Sequence, residues 1–454
     1  MTKENKTTKK LEREIARFDF NIIESNIPNV IFNDDLSVLE RKELMGLLSN
    51  NATMKVNRLQ SLLLIEQGFS SDVQSQRYTN YSDANFIFEG YELLSDTHKQ
   101  DIENIIQEML SLYTELNTKA DVEEEDARGV LPLAMPCYAT MNITGNEWDI
   151  LSQLVLTYPI MFESLITNNV SHHTKNQHNS DESTELYDNI FNQEYESLQK
   201  SGGLEIMDSK IAGLSALVCT NDLDFSKLCE KINTDEKLEK IINNVACNSG
   251  HVGILEKVYF KASIHSPLYI YNQLKRHRIA NWARESIISM VDRFINDSHE
   301  RERVARIVFN NTEISDADFN KFYPKVTSLF NRVSILIHEI INDLFARESE
   351  NIAKKDIYSI VAQLVPFVID VKYILNDNIA DFCHITRLRV CNRAQSDNRA
   401  IIMDICDRIF RESPIMGKVI KKIGAPGCVR GKCPEGKKCC IYNENVLEWA
   451  KVGE

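Results

Sequence analysis

Apolar side chains recur at spacings of three and four over two long stretches. Between Lys99 and Asn117 the stripe is Ile102, Ile105, Ile106, Met109, Leu110, Tyr113 and Leu116. Between Val326 and Phe345 it is Leu329, Phe330, Val333, Leu336, Ile337, Ile340, Ile341 and Leu344. Each pattern predicts a long amphipathic helix with one buried face. Weaker helical spacing, through Leu11, Ile15, Phe18, Leu39, Leu44, Leu47 and Leu48, predicts mostly helix over 11–65. Residues 260–274 alternate, as a half-buried strand does. The polar run 68–83, GFSSDVQSQRYTNYSD, reads as a loop. Residues 170–203 are rich in His, Asn, Ser, Asp and Glu and end in Gly202-Gly203, which predicts a linker.

With 454 residues, of which 43% are apolar, the chain can bury more than one core. Its net charge of −14 argues against nucleic-acid binding, so local basic loops should serve small anions. No apolar run reaches the ~18 residues of a membrane span and no signal peptide is visible, so a cytoplasmic protein with no membrane partner is expected. The eleven cysteines then read as reduced. Cys428, Cys433, Cys439 and Cys440 crowd the tail without a CxxC pair, and His172, His173 and His178 lack regular ligand spacing. No metal site is expected from either group.

The chemistry gathers at Arg276-His277-Arg278, just after the alternating segment. A solvated basic turn is the plain explanation of such a triplet. Two fork-shaped guanidiniums also suit a phosphate or pyrophosphate. Three companions favour the second reading: Gln74-Ser75-Gln76-Arg77-Tyr78, Ala127-Arg128-Gly129-Val130-Leu131-Pro132, and LRVCNRAQ at 388–395 with Arg399 beyond it.

Together with SGHVGILEKVYFKASI before the triplet, these motifs resemble the flavin-dependent thymidylate synthase family over roughly residues 40–440. The family's loop runs from Arg-His-Arg into Gln-Ser-x-Arg-Tyr. Here NWARES follows the triplet, Ser286 alone survives, and the missing half stands upstream at 74–78. The chain therefore looks like a two-copy member: an N-terminal domain over 1–169, a polar linker over 170–204, and a C-terminal domain with the cysteine tail over 205–454. Val365-Pro366 takes the place of Leu131-Pro132, and 133–151 follows the family's strand-then-helix pattern. The expected fold is α+β, two tandem domains, each a mixed sheet with long helices.

The resemblance implies a composite nucleotide site. Copy one would supply Ser75, Arg77 and Arg128 for the phosphate; copy two would supply Gln273 for the base, Arg276, and Arg389 to stabilise charge on the ring. Gln273 and Arg389 are the candidates closest to the chemistry. FAD would lie against Arg276, His277, Arg278 and Ile279, with Glu256 and Asn378. The reciprocal site is erased: Leu62, Ile65 and Val155 stand at its positions in copy one, and Ile288 and Ala362 in copy two. Ala380 replaces a family arginine, and Val73 and Arg284 replace an acidic residue. The implied reaction is methylation of dUMP to dTMP, with methylenetetrahydrofolate and NADPH as cosubstrates. A homodimer would supply the four copies of the family's tetramer. The alternatives are an altered substrate or product, such as UMP methylation or hydroxymethylation, and a non-catalytic nucleotide binder.

Overall fold

A computed structural model describes residues 50–68, 71–73, 81, 84–120, 122–143, 154, 157–162, 179–220, 224–310, 314–347, 352–429, 431, 433, 440 and 444–451. In chain order the elements used below are β1 (Asn50–Asn57), α1 (Arg58–Glu66), β2 (Ser71–Val73), α2 (Asp96–Lys119), β3 (Pro136–Ile143), α3 (Asn179–Lys200), β4 (Leu204–Ile206) and β5 (Tyr259–Pro267). They continue with α4 (Leu268–Lys275), β6 (Asn281–Arg284), α5 (Ile287–Asn296), α6 (Asp316–Ala346), α7 (Lys354–Ala362), β7 (Asp370–Asn378), α8 (Ile379–Arg389) and α9 (Ser396–Glu412). Among the described residues, no helix is long and apolar enough to cross a membrane.

The two amphipathic stripes form α2 and α6. Ser95 caps α2 by accepting from the His98 N–H, and Ser315 caps α6 by accepting from the Asp318 N–H. Every residue named in either stripe is buried. Each fully buried side chain of this size contributes about 1.5–3 kcal/mol. The flanking ion pairs, Arg332–Glu108 and Lys325–Glu115, are exposed and add little by comparison.

The fold is α+β with small sheets. The first has the order β1-β3-β2, and both pairings are antiparallel where a mixed sheet was expected. The second has the order β4-β5-β7-β6, and its outer pairings are antiparallel. Strand β1 falls within 11–65, which was expected to be mostly helical; the chain turns helical at Arg58, where Asn57 and Gln60 make a reciprocal capping box. Residues 1–49 lie outside the described residues. So do Gln74–Asn80, within the expected loop, and His172, His173, His178 and Cys439.

Two compact units partition the chain. The first takes 1–188, 267–272 and 286–370; the second takes 189–266, 273–285 and 371–454. This division interleaves the halves instead of following 1–169 and 205–454. Within the expected linker, α3 runs for 22 residues. Its apolar stripe, Phe191, Tyr195 and Leu198, clusters with Ile374 in the second unit. Composition marked that stretch as a linker, but three apolar residues at spacings of four and three are enough to dock a helix.

The first unit contains an internal two-fold relation. Pro132 bridges Pro366 in antiparallel fashion. Leu133 N–H donates to Val365 C=O at 3.1 Å while Phe367 N–H donates to Leu131 C=O at 2.8 Å. Ala134 N–H donates to Gln363 C=O and Val368 N–H to Gly129 C=O, again reciprocally. The two X-Pro dipeptides that correspond in sequence thus lie against each other, as in an isologous dimer interface. Beside them, Gln363 Oε1 accepts from Asn57 Nδ2 and from the Glu89 N–H, both at 2.8 Å. Its Nε2 donates to Glu89 C=O at 2.9 Å. This buried amide is fully satisfied, as a buried polar group must be.

Candidate functional site

Helix α4 leaves β5 with Leu268, Tyr269, Ile270, Tyr271 and Leu274 buried. That packing leaves Gln273 half-buried at its edge and ends the helix at the basic triplet. The His277 N–H donates to Leu274 C=O at 2.9 Å, and the Ala280 N–H returns to His277 C=O at 3.2 Å. This tight turn exposes Arg276, Arg278 and Ile279 and holds His277 half-buried between them.

Gln273, His277 and Arg389 come together in the second unit. Arg389, in the last turn of α8, donates from Nε to His277 Nε2 at 2.8 Å and from Nη2 to Gln273 C=O at 3.1 Å. A histidine that accepts at Nε2 must be neutral and carry its proton on Nδ1. Burial first, then the charge of Arg389 and the ring of His384, pushes the His277 pKa down from 6.5 to about 3. The pair therefore carries one positive charge at neutral pH, and it resides on Arg389.

The Gln273 side chain is held at both ends. Its Oε1 accepts from Asn398 Nδ2 at 2.6 Å, and its Nε2 donates to Gln395 Oε1 at 2.7 Å. Gln395 precedes α9 and Asn398 lies in its first turn; both are buried.

Arg128 belongs to the first unit and is 3% exposed. Glu125 Oε1 lies 3.4 Å from its Nη2, while Nε and Nη1 are buried without a hydrogen-bond partner. Burial is the main force holding its pKa below 12.5, partly offset by Glu125, Tyr269 and Asp126. The three N–H bonds on these two nitrogens are unsatisfied donors of the kind an anion pairs with. Ser75 and Arg77 lie outside the described residues.

The Thymidylate synthase complementing protein family matches residues 61–156 and 205–415, more than half of the chain. This chain belongs to that family. It is 24% identical over 236 residues to a protein named flavin-dependent thymidylate synthase from Clostridium tetani, covering 51% of this chain and 88% of the relative. A protein of the same name from Geobacter sulfurreducens is 23% identical over 231 residues, covering 50% and 86%. A crystal structure of Thymidylate Synthase X from Helicobacter pylori with FAD and dUMP is also similar, at 16% identity and a TM-score of 0.36, covering 48% of this chain and 96% of that one.

The thymidylate synthase complementing protein motifs are not all free to bind. Asn378 caps α8: its Oδ1 accepts from the Asp381 N–H at 2.9 Å and its Nδ2 donates to Asp381 Oδ2 at 2.7 Å. Glu256 is exposed. At the positions expected to have lost the reciprocal site, Leu62, Ile65, Ile288 and Ala362 are buried in the first unit's core; Val155 lies outside the described residues. Ser286 caps α5 instead of awaiting a ligand. Its N–H and Oγ donate to Asp188 Oδ1 and Oδ2 at 3.1 and 2.6 Å, and Ser289 Oγ donates to Oδ2 at 2.9 Å. A carboxylate at a helix N-terminus fills the place an anion would take.

Two residues at the Gln273 site carried no sequence signal, His384, whose ring stands 6.3 Å and 78° from that of His277, and Asn398; a third, Gln395, was not singled out by itself. Gln395 closes the LRVCNRAQ motif, so that motif was the available pointer to it.

Proposed function

We propose that the protein is a flavin-dependent thymidylate synthase that methylates C5 of a uracil nucleotide, converting dUMP to dTMP with methylenetetrahydrofolate as carbon donor and NADPH as reductant. The observation that carries this reading is the Gln273–Arg389–His277 constellation. It is built by two family motifs more than a hundred residues apart in sequence.

In this reading Gln273 meets the base edge with its remaining N–H and lone pair. Arg389, the sole charge of its pair, stabilises negative charge developing on the ring as C5 reacts. Neutral His277 keeps the guanidinium oriented without competing for that charge. The resemblance alone assigns Arg128, with Ser75 and Arg77, to the nucleotide phosphate; Arg128 Nε and Nη1 have no protein partner.

FAD fits part of its expected set. Exposed Arg276 and Arg278 offer two guanidiniums for a pyrophosphate, and Ile279, 48% exposed, offers an apolar contact for a flat ring. Asn378 keeps one N–H and one lone pair for the flavin, since Asp381 takes the other donor and acceptor of its amide. When bound, the flavin supplies the reducing equivalents that turn the transferred methylene into a methyl group. We place the enzyme in the cytoplasm as a homodimer, with four copies in all.

Ala380 and Val73 favour a second reading: a nucleotide binder without turnover. Purified protein that shows flavin absorbance and forms dTMP from dUMP supports the enzyme. Tight dUMP binding with no flavin and no product supports the binder.

A further inference from the structure

The Gln273 amide has a polarity, and its two partners set it. A primary amide carries two N–H donors and two carbonyl lone pairs. Gln273 uses one N–H on Gln395 Oε1 and one lone pair on Asn398 Nδ2. One donor and one acceptor remain for a ligand. If Gln273 alone turned over, its Oε1 would face the Gln395 oxygen and its N–H groups would face those of Asn398. Both contacts are repulsive. A turn of all three amides together would bury the Asn398 N–H donors where its Oδ1 now lies without a partner, at a residue that is fully buried beside Gln395, 6% exposed.

A fixed donor–acceptor order distinguishes pyrimidines. Uracil presents N3–H as donor beside O4 as acceptor; cytosine presents N3 as acceptor beside an N4 amino donor. An amide free to flip pairs with either edge, and one held in a single polarity pairs well with one of them.

We propose that Asn398 and Gln395 are positioning residues that lock the polarity of Gln273 and thereby select uracil over cytosine. This rests on the reading of Gln273 as the base-contacting residue. It goes further by naming what sets the choice of base.

The test pairs two substitutions that each place a carboxylate beside Gln273. Asn398→Asp replaces a donor by a pure acceptor and forces the Gln273 N–H toward it. Gln395→Glu places an acceptor where an acceptor already stands, so the polarity is kept. Dissociation constants for dUMP and dCMP are measured by titration calorimetry on the full-length protein, with folding checked by circular dichroism. A base edge recognised through two hydrogen bonds is discriminated by ~1–3 kcal/mol, so the dUMP preference should fall roughly tenfold or more in Asn398→Asp. In Gln395→Glu it should stay within about threefold, because simple charge repulsion weakens both nucleotides alike and cancels in the ratio. If Asn398→Asp does not fold, Asn398→Ala serves: it frees one end of the amide, and the preference should still drop. An unchanged preference in either Asn398 variant, or an equal loss in both carboxylate variants, overturns the lock while leaving dUMP binding intact. Wild-type protein that binds neither nucleotide overturns the underlying reading, and the lock with it.

Discussion

Arg128→Met should make the protein more stable and a poorer nucleotide binder at once. In the structure the guanidinium is 3% exposed, two of its three nitrogens have no hydrogen-bond partner, and Glu125 approaches the third at 3.4 Å. An unsatisfied buried polar group costs about 1–3 kcal/mol, more when charged. Methionine fills nearly the same volume without a donor or a charge. The losses to set against this are the long Glu125 contact and the attraction of buried Asp126 and of Tyr269 for the charge. With those losses subtracted the net gain should be about 1 kcal/mol, read as a higher midpoint in denaturant. Removing one charged contact to a phosphate costs about 1.5–3 kcal/mol, so dUMP affinity should fall roughly ten- to a hundredfold. Both are measured on one protein preparation, by urea titration and by calorimetry. A lower midpoint would show that Arg128 is a structural ion-pair partner, and unchanged dUMP affinity would remove it from the phosphate site.

Asp377 has one carboxylate oxygen buried without a partner, and burial lifts its pKa from 3.8 to about 7. Folding therefore favours the protonated acid, a stabilising contribution present below pH 3.8 and lost as pH rises to 7. Asp377→Asn should change stability little at pH 4 and raise it by up to about 4 kcal/mol above pH 7, in denaturant titrations across that range; a gain independent of pH would refute the assignment. Replacing His277 and Arg278 together with Ala should release the flavin, seen as loss of visible absorbance after gel filtration; unchanged flavin content would sink their role. Light scattering on the purified protein should give a mass of about two chains, and a stable monomer that retains flavin would contradict the four-copy assembly.

What could be read in advance follows from physics. The stripes of α2 and α6 are local and periodic, so α2 was legible to within three residues at either end and α6 to within one at its C-terminus, although α6 begins ten residues before its stripe. Strand β1 was missed although Ala52, Met54 and Val56 alternate with polar neighbours as a strand's do; the run is short, and its register comes from pairing with β3, some eighty residues away. Helix α3 was hidden by its polar composition, although Phe191, Tyr195 and Leu198 mark its buried side. The interleaving of the units was illegible, since contacts such as Leu133 to Val365 join residues far apart in sequence. At the site, the motifs pointed to Gln273, His277 and Arg389. They did not reveal Asn398, a neutral amide in a helix's first turn, or the use of Ser286 as a cap for α5. Ser286 kept its identity in the sequence, but Asp188, from the expected linker, occupies its donors.

Chemistry at C5 of a uracil nucleotide is the activity proposed for this chain. It is tested most directly by release of tritium from C5-tritiated dUMP, in the presence of FAD, NADPH and methylenetetrahydrofolate. The account predicts tritium release and matching dTMP formation by the wild-type protein, with a loss of at least roughly a hundredfold in Arg389→Gln, whose neutral amide cannot stabilise charge on the ring. Flavin-loaded wild-type protein that binds dUMP but releases no tritium would contradict it.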